Sequence, residues 1–136
     1  MKETGKVLIV DDNPDFVFAT ETFLRRNGFE TIAARNGKEG LELAEQDRPD
    51  VIVLDVMMEN LFSGLEICKR LRLNSELRHI PIIGVSGIGD ELDVHLSRWG
   101  DNEYFPVDEY YEKPLDREKL LESIRLRIKR GVRKRH

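Results

Sequence analysis

Short apolar runs alternate along the chain with segments whose apolar residues recur at helical spacing. Uninterrupted apolar runs of this kind predict strands that are buried on both faces of a sheet. The strand candidates are Val7–Val10, Thr31–Ala34, Val51–Leu54, Ile80–Val85 and the region around Tyr110. The helical patterns cover Asn13–Asn27, Lys38–Asp47, Leu65–Leu73 and a last helix capped by Asp116. Residues 90–99 fit one more helix, although they also alternate as a strand would.

This succession of βα units predicts an α/β fold with a five-stranded parallel sheet and about five helices covering both of its faces. The helix over Asn13–Asn27 has clear start and stop signals, because Asn13 can act as the N-cap, Pro14 fits the first turn and Gly28 follows the end. The apolar positions predicted to face the core from this helix are Phe16, Ala19, Phe23 and Leu24. Those of Leu65–Leu73 and of the last helix are Ile67, Cys68, Leu71, Leu120, Leu121, Ile124 and Ile128.

Length and composition bound the class of protein. The chain has 136 residues, 40% hydrophobic and 35% charged, which is typical of one globular domain. Its apolar runs are too short to span a bilayer, and the N-terminus shows no signal-peptide pattern, so we expect no membrane insertion. The single cysteine, Cys68, cannot form an internal disulfide, which favours a reducing, cytoplasmic location.

The net charge of −4 conceals an asymmetry between the body of the chain and its end. The last twelve residues, 125–136, contain seven Lys or Arg and no acid. Removing those seven from the 22 basic residues leaves 15 against 26 acidic ones, a net charge of −11 for residues 1–124. The basic end is interpreted as a solvated extension of the last helix, a docking segment for an acidic partner, or a weak contact to nucleic acid or anionic membrane.

Polar residues follow the predicted strands where their carboxyl ends meet. Asp11 and Asp12 follow the first strand, Asp55 the third, Ser86 the fourth and Lys113 the fifth. Each alone has a plain alternative, since an aspartate or serine after a strand is usually a turn former or cap and a lysine is usually solvated. Because functional groups of parallel sheets gather at this edge, the joint pattern predicts a site.

The chemistry of this set points to phosphoryl transfer. Three clustered carboxylates repel one another, and Mg²⁺, which prefers oxygen ligands and often shares its shell with phosphate, relieves that repulsion. A carboxylate beside such an ion can act as a nucleophile towards phosphorus. Lys113 can neutralise phosphoryl oxygens, and the Ser86 hydroxyl can donate a hydrogen bond to one of them.

The sequence resembles the receiver domain of two-component response regulators from Lys6 to about Arg130. The resemblance is carried by the segments VLIVDDNP at 7–14, VIVLDVMM at 51–58, IPIIGVSG at 80–87 and YYEKP at 110–114. It implies a flavodoxin-like, doubly wound sheet with strand order 2-1-3-4-5. It also implies a receiver domain over residues 1–130, followed by a basic tail over residues 131–136.

The resemblance assigns a role to each site residue. Asp55 matches the phosphoacceptor, and Asp12 matches the direct ligand of Mg²⁺ or Mn²⁺. Asp11 matches the acid that acts through water, and Met57 matches the residue whose backbone carbonyl completes the metal ligands. The other matches are Ser86 for the hydroxyl that follows the phosphoryl group, Lys113 for the site lysine, Pro114 for a proline with a cis bond before it and Tyr110 for the aromatic switch residue.

The implied function is that of a switch and not of an enzyme. A histidine kinase or histidine phosphotransfer protein donates the phosphoryl group, and the face formed by the fourth helix, the fifth strand and the fifth helix then changes. The downstream protein partner is unknown, nucleic acid binding within this chain is not expected, and the chain is expected to be a monomer or weak homodimer. We expect either a stand-alone regulator or a fragment of a larger one, with no output domain after the receiver.

Two segments depart from the family pattern. Glu59 stands where the family has a proline, four residues after Asp55, and the loop up to Gly64 is slightly longer. Between Gly100 and Lys113 the chain is also longer than in the family, on the side expected to signal. The first change is a neutral loop insertion or a source of partner specificity. In the second, Tyr104 and Phe105 either pack on the surface or form a contact patch.

Two functions of other classes stay open at this point. One is a receiver-like module that binds partners without phosphorylation, and the full set of site residues argues against it. The other is a metal-dependent phosphatase, which would need an acid–base residue beside Asp55 where the chain has Val56 and Met57.

Overall fold

A computed structural model of the chain describes residues 5–56, 61–86 and 107–134. The described strands are β1 (Lys6–Val10), β2 (Glu30–Ala34), β3 (Val51–Asp55), β4 (Ile82–Ser86) and β5 (Glu109–Glu112). The described helices are α1 (Pro14–Arg26), α2 (Gly37–Asp47), α3 (Leu61–Leu73) and α4 (Arg117–Lys134). All strand pairs are parallel and the order is β2-β1-β3-β4-β5, so the predicted fold is confirmed. The helix predicted over 90–99 lies outside the described residues.

Two hydrophobic cores lie on opposite faces of the sheet, because successive strand side chains point to opposite sides. Leu8 and Ile52 belong to the core that α2 and α3 cover, where Ile67, Cys68 and Leu71 are buried as predicted. Val7 and Val51 belong to the core that α1 and α4 cover. The predicted inward residues of α4 confirm this placement: Leu120, Leu121 and Ile124 are buried and Ile128 is partly buried.

The capping signals act as the sequence predicts. Oδ1 of Asn13 accepts hydrogen bonds from the backbone N–H groups of Asp15 and Phe16, and α1 begins at Pro14. Gly28, just past the end of α1, has a φ of 91°, a conformation that a side chain would strain. The Asn13 cap fixes where α1 starts after β1, and so it places the first turn beside the carboxyl edge of the sheet.

Two element boundaries differ from the prediction. The strand predicted from Ile80 begins at Ile82, because Pro81 has no N–H to donate to a neighbouring strand. Helix α3 begins at Leu61 and not at Leu65, with Gly64 inside it. A Cβ on Gly64 would lie 2.1 Å from the carbonyl oxygen of Val56, so this helix packs against the backbone that follows β3.

Helix α4, whose Ile128 packs against the core, runs to Lys134. None of the helices in the described ranges combines the length and the apolar character that crossing a bilayer requires.

Candidate functional site

Three carboxylates meet at the carboxyl edge of the sheet. Asp55 ends β3, while Asp11 and Asp12 follow β1, the strand beside it. One carboxylate oxygen from each lies within 4.8 Å of the others. Asp11 and Asp55 are buried, at 1% and 7% exposure, whereas Asp12 is exposed to solvent. The predicted acidic cluster therefore forms, with one member open to an incoming ligand.

Through its carboxylate, Asp11 stabilises the turn after β1 and also contacts Lys113 in the site. Its backbone N–H donates to the carbonyl of Ala34, which extends the pairing of β1 with β2 by one residue. Its Oδ1 accepts a hydrogen bond from the backbone N–H of Asn13 at 2.9 Å. Its Oδ2 accepts one from Nζ of Lys113 at 2.8 Å. The turn-forming role and the site role thus use different oxygens of one carboxylate.

Lys113 brings a positive charge to the centre of the cluster. Its Nζ donates to Asp11 at 2.8 Å and to Oδ2 of Asp55 at 3.3 Å. Its backbone N–H donates to the carbonyl of Ser86 at 2.8 Å, which fixes the backbone of Lys113 beside the end of β4. The peptide bond between Lys113 and Pro114 is cis. Burial lowers the pKa of Lys113, but the hydrogen bond to Asp11 and the charges of Asp55 and Asp11 outweigh it, so the net shift is upward.

Ser86 and Tyr110 lie on the two strands beyond β3. Ser86 is the buried last residue of β4, and its neighbour Val85 pairs in register with Asp55. The hydroxyl-bearing residue therefore sits one step past the acidic residue of the adjacent strand. Tyr110 lies on β5, pairs in register with Gly84 and is partly buried. Both residues occupy the strands that the sequence predicted for them.

Some predicted features lie outside the described residues. They are Met57, Glu59 and the first part of the long segment before β5, residues 101–106. The backbone carbonyl of Met57 as a metal ligand therefore stays a prediction.

The carboxylate cluster fits a hard divalent cation. Carboxylate oxygens are the ligands that Mg²⁺ prefers, and an exposed ligand such as Asp12 suits an ion that keeps several waters. Asp11, Asp12 and Asp55 would hold such an ion. Lys113 supplies part of the balancing charge that these acids need, on the side of Asp11 and Asp55.

A groove beside the cluster opens the site to the surface. The volume of this groove is about 620 Å³. A separate cleft between α2 and α3 has a volume of about 720 Å³. Asp11, Asp12 and Phe18 line the groove, and the Phe18 side chain on α1 is 73% exposed. The groove therefore gives access to Asp11 and Asp12 along α1.

One contact at the site was missed by reasoning from the sequence. Nζ of Lys113 lies 4.2 Å from the centre of the Phe16 ring, within the range of a cation–π interaction. Helical spacing predicted Phe16 only as an inward residue of α1. The available signal was its place in the first turn of the helix that follows Asp11 and Asp12, at the edge where the site residues meet.

Comparisons with known proteins agree with this geometry. The family model described as the response regulator receiver domain matches residues 7–125. The chain is 37% identical over 119 residues to the polar-differentiation response regulator DivK of Brucella anthropi, covering 88% of this chain and 92% of that protein. It is 34% identical over 120 residues to the protein PilH of Pseudomonas aeruginosa, covering 88% and 94%.

A solved structure gives the same result for the fold. The signal receiver domain of a signal transduction histidine kinase from Syntrophus aciditrophicus superposes with a TM-score of 0.78 at 30% identity. The match covers 92% of this chain and 90% of that one.

Proposed function

The chain belongs to the response regulator receiver domain family, and on that premise we propose that Asp55 accepts a phosphoryl group from a phosphohistidine. Membership places the chain in two-component signalling, in which receiver domains typically act as phosphorylated switches and not as enzymes. It implies a histidine kinase or a histidine phosphotransfer protein as the donor. The observation that carries the proposal is the Lys113 ammonium, which contacts both Asp11 and the Asp55 carboxylate at the open edge of the sheet.

The proposed reaction is an in-line displacement at phosphorus. A carboxylate oxygen of Asp55 forms the new O–P bond while the N–P bond of the phosphohistidine breaks. The electron pair of that bond stays on the imidazole nitrogen, and the ring takes up one proton from solvent, so the leaving group is neutral imidazole. Lys113 stabilises the negative charge on the phosphoryl oxygens, because its Nζ is already within 3.3 Å of the nucleophilic carboxylate.

A divalent cation would support this reaction in addition to the roles of the protein's own residues. Receiver domains bind Mg²⁺ at an acidic pocket, and the three aspartates form such a pocket here. When bound, Mg²⁺ or Mn²⁺ would neutralise phosphoryl oxygens and so lower the repulsion between the donor and the carboxylates. Asp12 is the exposed member, and we assign it direct contact with the ion, while Asp11 acts through water.

The switch is part of the same proposal. Ser86, one residue past the position paired with Asp55, donates a hydrogen bond from its hydroxyl to a phosphoryl oxygen, and Tyr110 on β5 changes position in response. The face containing β5 and α4 then presents a different surface to a downstream partner. We keep the cytoplasmic location that the lone cysteine favours, since Cys68 is a free, buried thiol.

The test is phosphorylation with a small donor. The full chain is incubated with Mg²⁺ and acetyl phosphate, and the mass of the intact protein is measured by mass spectrometry. One phosphoryl adduct is expected, and it should be absent in Asp55→Ala. Asp47→Ala is the matched control, because Asp47 lies on α2 away from the cluster and its loss should leave the adduct unchanged.

The other outcomes separate the remaining functions. An unmodified wild-type chain that still binds a partner would favour a phosphorylation-independent module. Sustained release of phosphate from other substrates would favour a metal-dependent phosphatase. An adduct that persists in Asp55→Ala would show that another residue is the acceptor.

A further inference from the structure

We propose that Phe16 is a positioning residue whose ring holds the Lys113 ammonium beside the Asp55 carboxylate. The inference rests on the proposed function, because the position of the ammonium matters most when phosphoryl oxygens reach Asp55. The geometry that carries it is the 4.2 Å separation between Nζ of Lys113 and the centre of the Phe16 ring. A cation over the face of an aromatic ring is attracted by the negative charge of the π system.

The ring completes a set of three anchors around one ammonium group. An ammonium has three N–H donors, and Lys113 directs two of its contacts to Asp11 at 2.8 Å and Asp55 at 3.3 Å. The Phe16 ring lies against the same nitrogen. Because the Lys113 side chain is only 20% exposed, little water competes with these contacts, and cation–π attraction strengthens as the cation loses water.

The ring is itself held in place by the start of α1. The backbone N–H of Phe16 donates to Oδ1 of Asn13, so the first turn of the helix is capped. The side chain packs against the core that α1 and α4 cover. A ring fixed at both backbone and side chain can restrict where the ammonium lies.

An aromatic anchor differs from a carboxylate in a way that suits phosphoryl transfer. Asp11 and Asp55 are also the groups that would hold a divalent cation, and Asp55 is the proposed nucleophile, so their contacts with Lys113 must change as the site fills. The Phe16 ring takes part in neither role and can keep its contact throughout. It attracts the ammonium without a formal charge, and it therefore repels the incoming phosphoryl oxygens less than a third carboxylate would.

Pure apolar packing is the competing explanation, and leucine separates the two. Phe16→Leu keeps an apolar side chain but removes the π system, while Phe16→Tyr keeps the aromatic face. Phe23→Leu is the matched control, because Phe23 lies on the same helix and packs against the same core. Phe16→Met provides a second non-aromatic variant if Phe16→Leu folds poorly.

The first measurement needs no phosphorylation. In the full chain, the side-chain methylene protons of Lys113 next to Nζ should show an upfield NMR shift caused by the ring current of Phe16. We expect that shift to disappear in Phe16→Leu and to remain in Phe16→Tyr and Phe23→Leu. Absence of the shift in the wild-type chain would overturn the contact.

The second measurement is the rate of adduct formation with acetyl phosphate and Mg²⁺. At saturating donor we expect the rate of Phe16→Leu to fall by about fivefold, with the half-saturating donor concentration nearly unchanged, since the ammonium acts on the transferring group. Phe16→Tyr should restore the rate and Phe23→Leu should match the wild type. An unchanged rate in Phe16→Leu, or an equal loss in Phe16→Tyr or Phe23→Leu, would overturn the positioning role. If the wild-type chain takes up no phosphoryl group, the proposed function fails and the inference falls with it.

Discussion

Lys113 is anchored more closely on Asp11 than on the proposed phosphoacceptor. Its Nζ lies 2.8 Å from Oδ2 of Asp11 and 3.3 Å from Oδ2 of Asp55. Both carboxylates belong to the cluster that fits a divalent cation. The lysine and the cation therefore act on the same two carboxylates, and each should weaken the binding of the other.

Removal of the Lys113 charge should accordingly strengthen Mg²⁺ binding. A single and a double positive charge about 4–5 Å apart repel each other by about 2 kcal/mol even in water, so we expect Lys113→Met to bind Mg²⁺ about tenfold more tightly. NMR titration at constant ionic strength measures the affinity. Lys119→Met, an exposed lysine on α4, should leave it unchanged. An equal or weaker affinity in Lys113→Met would contradict competition between the two cations.

Gly64 should tolerate no side chain, whereas Gly37 should accept one at lower cost. An added Cβ at Gly64 meets the carbonyl oxygen of Val56, which is backbone that cannot turn aside. An added Cβ at Gly37 meets only the end of the Ile67 side chain. We expect Gly64→Ala to lower the free energy of unfolding by about 2–3 kcal/mol and Gly37→Ala by about 1 kcal/mol or less. Urea denaturation of both variants checks the difference, and equal losses would argue against the close approach at Val56.

The sequence was sufficient for the parts of this molecule that depend on local pattern. The apolar runs placed β1 to β4, and Asn13 and Gly28 marked the two ends of α1. Strand ends meet at one edge of a parallel sheet, so the grouping of Asp11 and Asp55 also followed from the order of elements. In these cases the physical cause lies within a few residues of the feature it produces.

Contacts between distant segments could not be predicted in this way. Periodicity placed Phe16 inward but did not say that its ring would lie against Lys113, because that depends on how α1 packs beside β5. The same holds for Arg72, which reaches from α3 to Asp108 in front of β5. The hydrophobic pattern of the sequence predicts whether a side chain faces the core. The residue that it contacts there depends on how the elements pack together.

Arg72 should contribute much more to stability than its neighbour Arg70. Arg72 donates hydrogen bonds to the carbonyls of Arg78 and Ile80 and to Oδ2 of Asp108, which also accepts from the backbone N–H of Ile82. Arg72→Met keeps the apolar stem and removes these bonds, so we expect the free energy of unfolding to fall by about 2–3 kcal/mol.

Arg70→Met is the matched control on the same helix. Arg70 is exposed and pairs with Glu66 one turn away, and such surface pairs contribute only about 0.3–0.5 kcal/mol. Denaturation of both variants in urea under the same conditions measures the two losses. A loss in Arg72→Met as small as that in Arg70→Met would show that the link between α3 and the start of β5 does not stabilise the fold.

Glu109 should make stability depend on pH in the acid range. Its Oε2 accepts hydrogen bonds from the hydroxyls of Tyr111 and Ser123, both at 2.7 Å, and its Oε1 accepts one from Arg127 at 2.9 Å. Burial raises the pKa of Glu109, but these hydrogen bonds and the Arg127 charge outweigh it and hold the pKa below its ordinary 4.5. The folded state therefore binds this proton less readily than the unfolded state does.

The stability gained from the Glu109 carboxylate is thus fully present above pH 4.5 and is lost as the pH falls through the lowered pKa of the folded state. At neutral pH we expect Glu109→Gln to lower the free energy of unfolding by about 1 kcal/mol, because the site is partly exposed and solvent screens the charge. Below pH 4.5 the gap to the wild type should shrink, since the protonated Glu109 resembles glutamine. Urea denaturation across this pH range measures the gap, with Glu122→Gln, an exposed carboxylate on α4, as the control. A gap that stays constant or widens in acid would show that Glu109 does not act through its charge.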